Sequence, residues 1–217
     1  MNVLYSEKEM GKDICIALGA FDGVHKAHKE ILESCANYAK ERGLHSYVYT
    51  FENSPYTKES AQENALLLTS LEEKLALIEQ TGIENALVRK FDKRFASSDA
   101  QTFLKRICKG KRIKAIFCGY DFRFGKDAAG DVALLQEMAD EFGYALFVHD
   151  AILADGEVIS SSRIRQALQN GDIALAVDML GRPIETKMRD YSRKCVDGTG
   201  YVYGILQDGY TMQNGIF

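Results

Sequence analysis

The sequence predicts a doubly wound, mostly parallel α/β sheet. Three observations predict it. Apolar β-rich segments alternate with amphipathic helical segments along most of the chain. A glycine turn, Gly19 to Gly23, follows the first strong strand without a gap. A second glycine-rich segment, "CGYDFRFG", follows the fourth. Ligands of such sheets sit at the carboxyl ends of the strands, near the point where the strand order reverses. Both glycine segments fall at such ends.

The elements follow in order. "DICIAL" reads as a strand. "KAHKEILESCANYAKER" reads as a helix with Ile31, Leu32, Cys35 and Ala39 on one face and Gly43 as its stop. "HSYVYTF" is the second strand, and a loop runs from Glu52 to about Leu68. "SLEEKLALIEQTG" opens on a capping box, Ser70 and Glu73, and closes on Gly82. "NALVRKF" is the third strand. "SDAQTFLKRICKG" is a helix with a box pattern at Ser98 and Gln101. "IKAIFC", "VALLQEMADEFG" and "YALFVHD" give strand, helix and strand. "SSRIRQALQNG" and "DIALAVDMLG" are two short helices. After Gly181 the chain turns polar and then Tyr/Gly-rich with short alternation. It reads as a linker and a β-hairpin turning at "QDG". The expected division is residues 1–183 as one domain and 184–217 as the tail.

Composition excludes some function classes. The 217 residues are 46% hydrophobic and 27% charged, with a net charge of −4. Double-stranded nucleic acid, which needs many Lys and Arg contacts to phosphate, is not suggested. No apolar run reaches eighteen residues, so no membrane helix is expected. "MNVLYSEKEMGKD" is too polar for a signal peptide. Five scattered cysteines without a CxxC read as reduced thiols of a cytoplasmic protein. Oligomeric state is not legible.

Four segments carry chemistry. Gly19 and Gly23 bracket "AFD" and feed a helix, which aims backbone N–H groups and the positive helix end at an anion. His25 and His28 lie at that helix start and can donate to phosphate oxygens. Phosphate binding is favoured there. Core packing and metal binding stay open, although a metal needs further ligands that no neighbouring pattern supplies. The fingerprints GxGxxG and GxxxxGK[ST] are both absent. In "GYDFRFGKDAAGD", Phe122 and Phe124 alternate with charged residues. They form either an aromatic platform for a flat ring or anchors to the core, and the spacing alone favours anchors. "ISSSRIRQAL" places serines at a helix start, where they commonly cap. Arg163 and Arg165 there oppose the helix dipole, which makes sense beside an anion. In "YTFENSPYTK", Pro55 stiffens the loop and Phe51 and Tyr56 could face a ring ligand, although ordering the loop is the commoner role.

Together these segments resemble the FMN adenylyltransferase module of prokaryotic FAD synthetases, usually found in a bifunctional riboflavin kinase/FAD synthetase. The resemblance runs from about Ile14 to Arg182. It rests on "GAFDGVHKAH", "TFENSP", "LTSLEEKLALIEQTGIENALV", "FDKRFA", "GYDFRFGKDAAGD" and "ISSSRIRQALQNGDIALAVDMLGRP" in the family's order. It implies a Rossmann-like sheet of the nucleotidyltransferase superfamily with a short β-rich extension. The implied reaction is FMN with MgATP giving FAD and pyrophosphate, the FMN phosphate attacking the α-phosphorus without a covalent enzyme intermediate. His25, His28 and Arg165 would be catalytic. Gly19, Ala20, Phe21, Gly23, Gly119, Ser161, Ser162 and Arg165 would bind ATP. Phe51, Asn53, Pro55, Asp121, Phe122 and Phe124 would lie on the FMN side. Mg²⁺ would accompany ATP, with no protein ligand assigned.

Two positions depart from the family pattern: Ala27 stands where glycine is usual and Asn53 where proline is common. Nothing after Arg182 resembles a riboflavin kinase barrel, so a monofunctional enzyme is expected. Two other readings compete: a flavin or nucleotide sensor weakened by Ala27 and Asn53, and a nucleotidyltransferase with a different acceptor.

Overall fold

Asn2–Leu4 (β1), Ile14–Leu18 (β2), His45–Phe51 (β3), Asn85–Arg89 (β4), Ile113–Gly119 (β5) and Ala145–His149 (β6) form one sheet in the order β1-β4-β3-β2-β5-β6. Every neighbouring pair is parallel. The structure is a computed structural model that describes residues 1–53 and 67–184, together with the backbone of Met188–Val196 and Thr199–Leu206. Five of these strands follow the alternation read from the sequence. β1 does not: three residues within a polar segment carry no periodic signal, and only pairing with β4 makes them a strand.

Alternate residues of each central strand feed two cores, as the two-residue strand period requires. Cys15, Ala17, Val48, Ala86, Val88, Ala115 and Phe117 face Lys26–Arg42 (α1) and Leu71–Glu79 (α2), where Ile31, Leu32, Cys35 and Ile78 are buried. Burying each of the larger side chains, such as Ile31, Leu32, Ile78 and Phe117, contributes about 1.5–3 kcal/mol. Ile14, Ile16, Leu18, Tyr47, Tyr49, Leu87 and Ile116 face the opposite core. That core is closed by Ala100–Cys108 (α4) and Val132–Phe142 (α5); Lys93–Ala96 (α3) is a single turn before them.

Caps fix the helix ends. Gly43 closes α1 in the left-handed conformation, and Ser70 and Glu73 make the full capping box on α2. The start of α4 corrects the sequence reading. Asp99, not Ser98, is the cap, its carboxylate accepting from Thr102 N–H at 2.8 Å. A carboxylate also meets the positive helix end better than a hydroxyl does.

Leu153–Ala154 (β7) and Glu157–Val158 (β8) form a small hairpin that the sequence reading did not place. Asp155 and Gly156 join them with φ of 51° and 76°, the double left-handed turn that Asp-Gly favours. Ser161–Gln169 (α6) and Ile173–Leu180 (α7) then pack together through Ile164, Ala167, Ala176 and Met179. Met188–Val196 (β9) and Thr199–Leu206 (β10) pair antiparallel, with Val196 opposite Thr199. Their connection is therefore Asp197-Gly198, not "QDG", which lies outside the described residues. An Asp-Gly pair between two alternating runs is the stronger hairpin signal.

Candidate active site

The chain leaves β2 toward β3 on one side and leaves β5 toward β6 on the other, so the crevice opens between the carboxyl ends of β2 and β5. Gly119 ends β5 on its floor. A Cβ there would lie 3.2 Å from Asp121 Oδ1 and 3.7 Å from Ile31 Cδ1 of α1. Gly19 begins the turn after β2, and a Cβ there would lie 2.8 Å from the Phe21 ring. The turn is strained. Phe21, Gly23 and Val24 have φ of 53°, 80° and 40°. A β-branched residue in the left-handed region costs of order 1–3 kcal/mol and persists only where its surroundings impose it.

Those surroundings grip the turn nearly atom by atom. Thr50 Oγ1 donates to Ala20 O at 2.8 Å and Ser161 Oγ to Asp22 O at 2.9 Å. Gly23 N–H donates to Thr69 Oγ1 at 3.2 Å, and an Arg182 N–H to Val24 O at 3.3 Å. The Asp22 carboxylate accepts from Leu68 N–H at 3.1 Å and Thr69 N–H at 3.3 Å, and it pairs with Arg165 of α6. Lys74 of α2 donates to Ala20 O at 3.2 Å and Phe51 O at 2.6 Å.

His25 is the N-cap of α1. Its Nδ1 accepts from His28 N–H at 3.3 Å. An imidazole that accepts at Nδ1 carries its proton at Nε2, so the neutral ring offers an Nε2–H donor. The two rings stack with centroids 3.5 Å apart, and Phe21 sets its edge against His28 at 5.2 Å. Burial, helped by the Arg182 charge, pushes His25 down to about 4. Burial first, then the His25 and Lys74 charges, holds His28 well below the usual histidine range. Both rings are neutral at pH 7. His28 Nδ1 is buried without a partner among the described residues, a hydrogen-bonding capacity open to a ligand. Among the described residues no group of three His, Cys, Asp or Glu is arranged to hold a metal.

The neutral His25 has a consequence for stability. Its folded pKa lies below the usual 6.5, so the unfolded chain takes up the proton first as pH falls. Stability from this group is present above pH 6.5 and is lost as pH falls toward about 4. Urea unfolding followed across that window should show the decline. His25→Asn, which keeps a capping acceptor, should make the decline shallower, leaving the part contributed by His28.

The sequence-predicted residues divide into two groups. Gly19, Ala20, Phe21, Gly23, His25, His28, Ser161 and Arg165 come together around the turn through the contacts above. Ser162 is exposed on the first turn of α6. The capping hydroxyl there is Ser160, accepting from Arg163 N–H at 3.2 Å. Arg163 meets Glu157 at 3.0 Å and the Ala154 and Glu157 carbonyls, so its anion belongs to the protein. The aromatic candidates lie on the α4 face of the sheet. Phe51 packs on Phe91 and Phe95 at 5.4 and 5.2 Å, and Phe122 stacks on Phe124 at 5.5 Å. Phe124 is buried, pairs with Gly130 and touches Phe103, so it anchors its loop to the core. Asn53 both donates to and accepts from the Phe91 backbone, at 2.9 and 2.8 Å. Asp121 is exposed beside Gly119. Pro55 lies outside the described residues.

The sequence reading missed Asp22 and Lys74. A lysine on the same stripe of α2 as Ile78, one turn away, was a legible signal, because charge on an apolar stripe needs a partner.

A parallel sheet whose switch point opens on a glycine turn, followed by a histidine-capped helix and faced by an arginine-bearing helix, places these residues where α/β sheets take their ligands. Residues 7–163 match the family described as FAD synthetase, and the chain belongs to that family. The Escherichia coli K12 protein named bifunctional riboflavin kinase/FMN adenylyltransferase is 36% identical over 169 residues, covering 77% of this chain and 54% of that protein. The chain thus spans about half the length of that relative. The crystal structure of a Streptococcus pneumoniae protein named macrolide-efflux protein superposes with a TM-score of 0.77 at 27% identity, covering 97% of this chain and 78% of that one. Thermus thermophilus pantothenate synthetase shares the fold, with a TM-score of 0.50 at 12% identity, covering 97% of this chain and all of that one. Among the described residues no helix is long and apolar enough to cross a membrane.

Proposed function

We propose that the chain is an FMN adenylyltransferase. An oxygen of the FMN phosphate attacks the α-phosphorus of ATP, the bond from that phosphorus to the bridging oxygen breaks, and pyrophosphate leaves with FAD formed. The observation that carries this reading is the stacked, neutral His25–His28 pair at the start of α1, facing the Arg165 helix across Asp22. Family membership supports it.

The protein's part is positioning and charge stabilisation, which dominate phosphoryl-transfer catalysis. His25 offers Nε2–H, and His28 offers its unpartnered ring nitrogen, to phosphate oxygens as charge grows on them. Ser161, Ser162 and Arg165 are assigned to the β- and γ-phosphates. Gly19 and Gly119 let the nucleotide approach the backbone closely. Phe51, Asn53, Pro55, Asp121, Phe122 and Phe124 are assigned to the flavin side, Phe124 and Asn53 as the residues that shape it. Mg²⁺ enters as part of the MgATP substrate, and no step is routed through it. Ala27 is the second residue of α1, where alanine supports a helix better than glycine by about 1 kcal/mol. That departure from the family pattern is compatible with activity.

The test is a chromatographic assay of the purified chain with FMN, ATP and Mg²⁺. Steady appearance of FAD with one pyrophosphate per turnover is expected. FMN or ATP binding without FAD would replace this reading with the sensor. Pyrophosphate release only with another phosphate acceptor would replace it with a different transferase. For these 217 residues, riboflavin with ATP is expected to give no FMN, and FMN formation would refute the monofunctional reading.

A further inference from the structure

Lys74 is a buried cation that the transfer described above does not use. It lies on α2 one turn before Ile78 and is 6% exposed. An ammonium taken out of water is costly unless its N–H groups are bonded. Two of them meet main-chain carbonyls, Phe51 O at 2.6 Å and Ala20 O at 3.2 Å. The third has no protein acceptor among the described residues.

The two carbonyls belong to different parts of the site. Phe51 is the last residue of β3 and begins the aromatic group on the α4 face. Ala20 lies two residues beyond β2, inside the strained turn that leads to His25. One ammonium therefore ties the ends of two adjacent strands together. The charged and titratable groups near it are Asp22 on the turn, Arg165 of α6, which shares Asp22, and His28 of α1. Burial lowers Lys74 to about 8, with the Asp22 carboxylate opposing the shift. The turn has no P-loop lysine, and Lys74 is the cation that holds its Ala20 carbonyl, beside Arg165 on Asp22 and Arg182 on the Val24 carbonyl.

We propose that Lys74 is a positioning residue for adenylyl transfer: its ammonium fixes the turn that holds ATP against the strand end that holds FMN, and sets a positive charge beside His28. This rests on the adenylyltransferase reading. Each substrate can bind its own side without Lys74, but the attacking oxygen and the α-phosphorus meet correctly only when the two sides are locked. A misplacement of about 1 Å costs on the order of 10²-fold in rate.

Lys74→Met keeps the apolar stem and removes the charge and donors. It is compared with the unaltered chain for FAD formation, for FMN binding by flavin fluorescence and for ATP binding by calorimetry. Both affinities should stay within about threefold while kcat falls roughly 30-fold or more, and Lys74→Arg should recover part of the loss. A folded Lys74→Met that keeps kcat, or one whose only defect is affinity for a single substrate, overturns the proposal. A second measurement needs no variant. kcat/KM of the unaltered chain for ATP should fall above about pH 8 as Lys74 loses its proton. If Lys74→Met does not fold, Lys74→Gln, which keeps a donor and removes the charge, is measured in its place, and full kcat in that variant overturns the proposal. If the unaltered chain makes no FAD, the functional reading fails and this proposal fails with it. If it makes FAD and the variants match it, only the role of Lys74 fails.

Discussion

His28→Ala is expected to lower kcat for FAD formation by about 10²–10³ while FMN affinity stays within about threefold, because a preorganised donor acts on charge that grows only in the transition state. The ring is held in place before any ligand arrives. His25 stacks on it at 3.5 Å and the Phe21 edge meets it at 5.2 Å. Its neutrality matters too. Buried beside His25 and Lys74, it cannot act as a standing cation for the ground state of ATP, so its contribution is a directed hydrogen bond. His28→Asn, which keeps a donor, should lose less than His28→Ala. Single-turnover rates with FMN binding measured in parallel make the check. An unchanged rate in His28→Ala would remove this residue from the mechanism.

Asp22→Ala is expected to destabilise the fold by about 3–5 kcal/mol, the usual cost of removing one partner from a buried ion pair. The Asp22 carboxylate is nine-tenths buried and meets Arg165 together with the Leu68 and Thr69 amides. Its loss removes the carboxylate that faces the Arg165 guanidinium and takes the acceptor from two buried N–H groups at once. With a urea dependence of about 2 kcal/mol/M, the unfolding midpoint should drop by roughly 1.5–2.5 M. Arg165→Ala should share part of this loss and also raise the ATP concentration needed for half-maximal rate. If Arg165→Ala changed FMN affinity alone, α6 would belong to the other substrate. Loss of stability without loss of rate in the folded fraction would make the ion pair purely architectural.

Much of this arrangement was legible in the sequence because its signals are local. Apolar alternation gave five of the six strands of the main sheet, and the Ser70–Glu73 box gave the start of α2. The Gly19–Gly23 turn, between a strand and a helix that starts with His25 and His28, favoured an anion over core packing or a metal. What the sequence concealed depends on partners far along the chain. Asp22 is buried only because Arg165 arrives from 143 residues away. Lys74 is tolerated on an apolar stripe only because Ala20 and Phe51 turn carbonyls toward it. For Phe124 the spacing alone favoured an anchor over a platform, but its partners, Gly130 and the Phe103 ring, were not legible. The two small hairpins were hidden for a simpler reason: β7 and β8 are two residues each, too short for alternation to show, and β9 pairs with β10 from Val196 opposite Thr199 rather than turning at "QDG".

The 143-residue separation between Asp22 and Arg165 also sets when the site can exist during synthesis. At about 5–20 residues per second, a ribosome takes roughly 7–30 s to reach Arg165 after making Asp22. Through that interval the nascent chain carries the glycine turn and both histidines without the arginine that neutralises Asp22 or the serine that holds its carbonyl. Thr50, Thr69 and Lys74 already hold part of the turn, but the Arg182 group that meets the Val24 carbonyl comes later still. Substrate can therefore find a formed site only after α6 has left the exit tunnel, and a chain released before that helix would keep the sheet-forming segments while lacking the latch that assembles them into a catalyst.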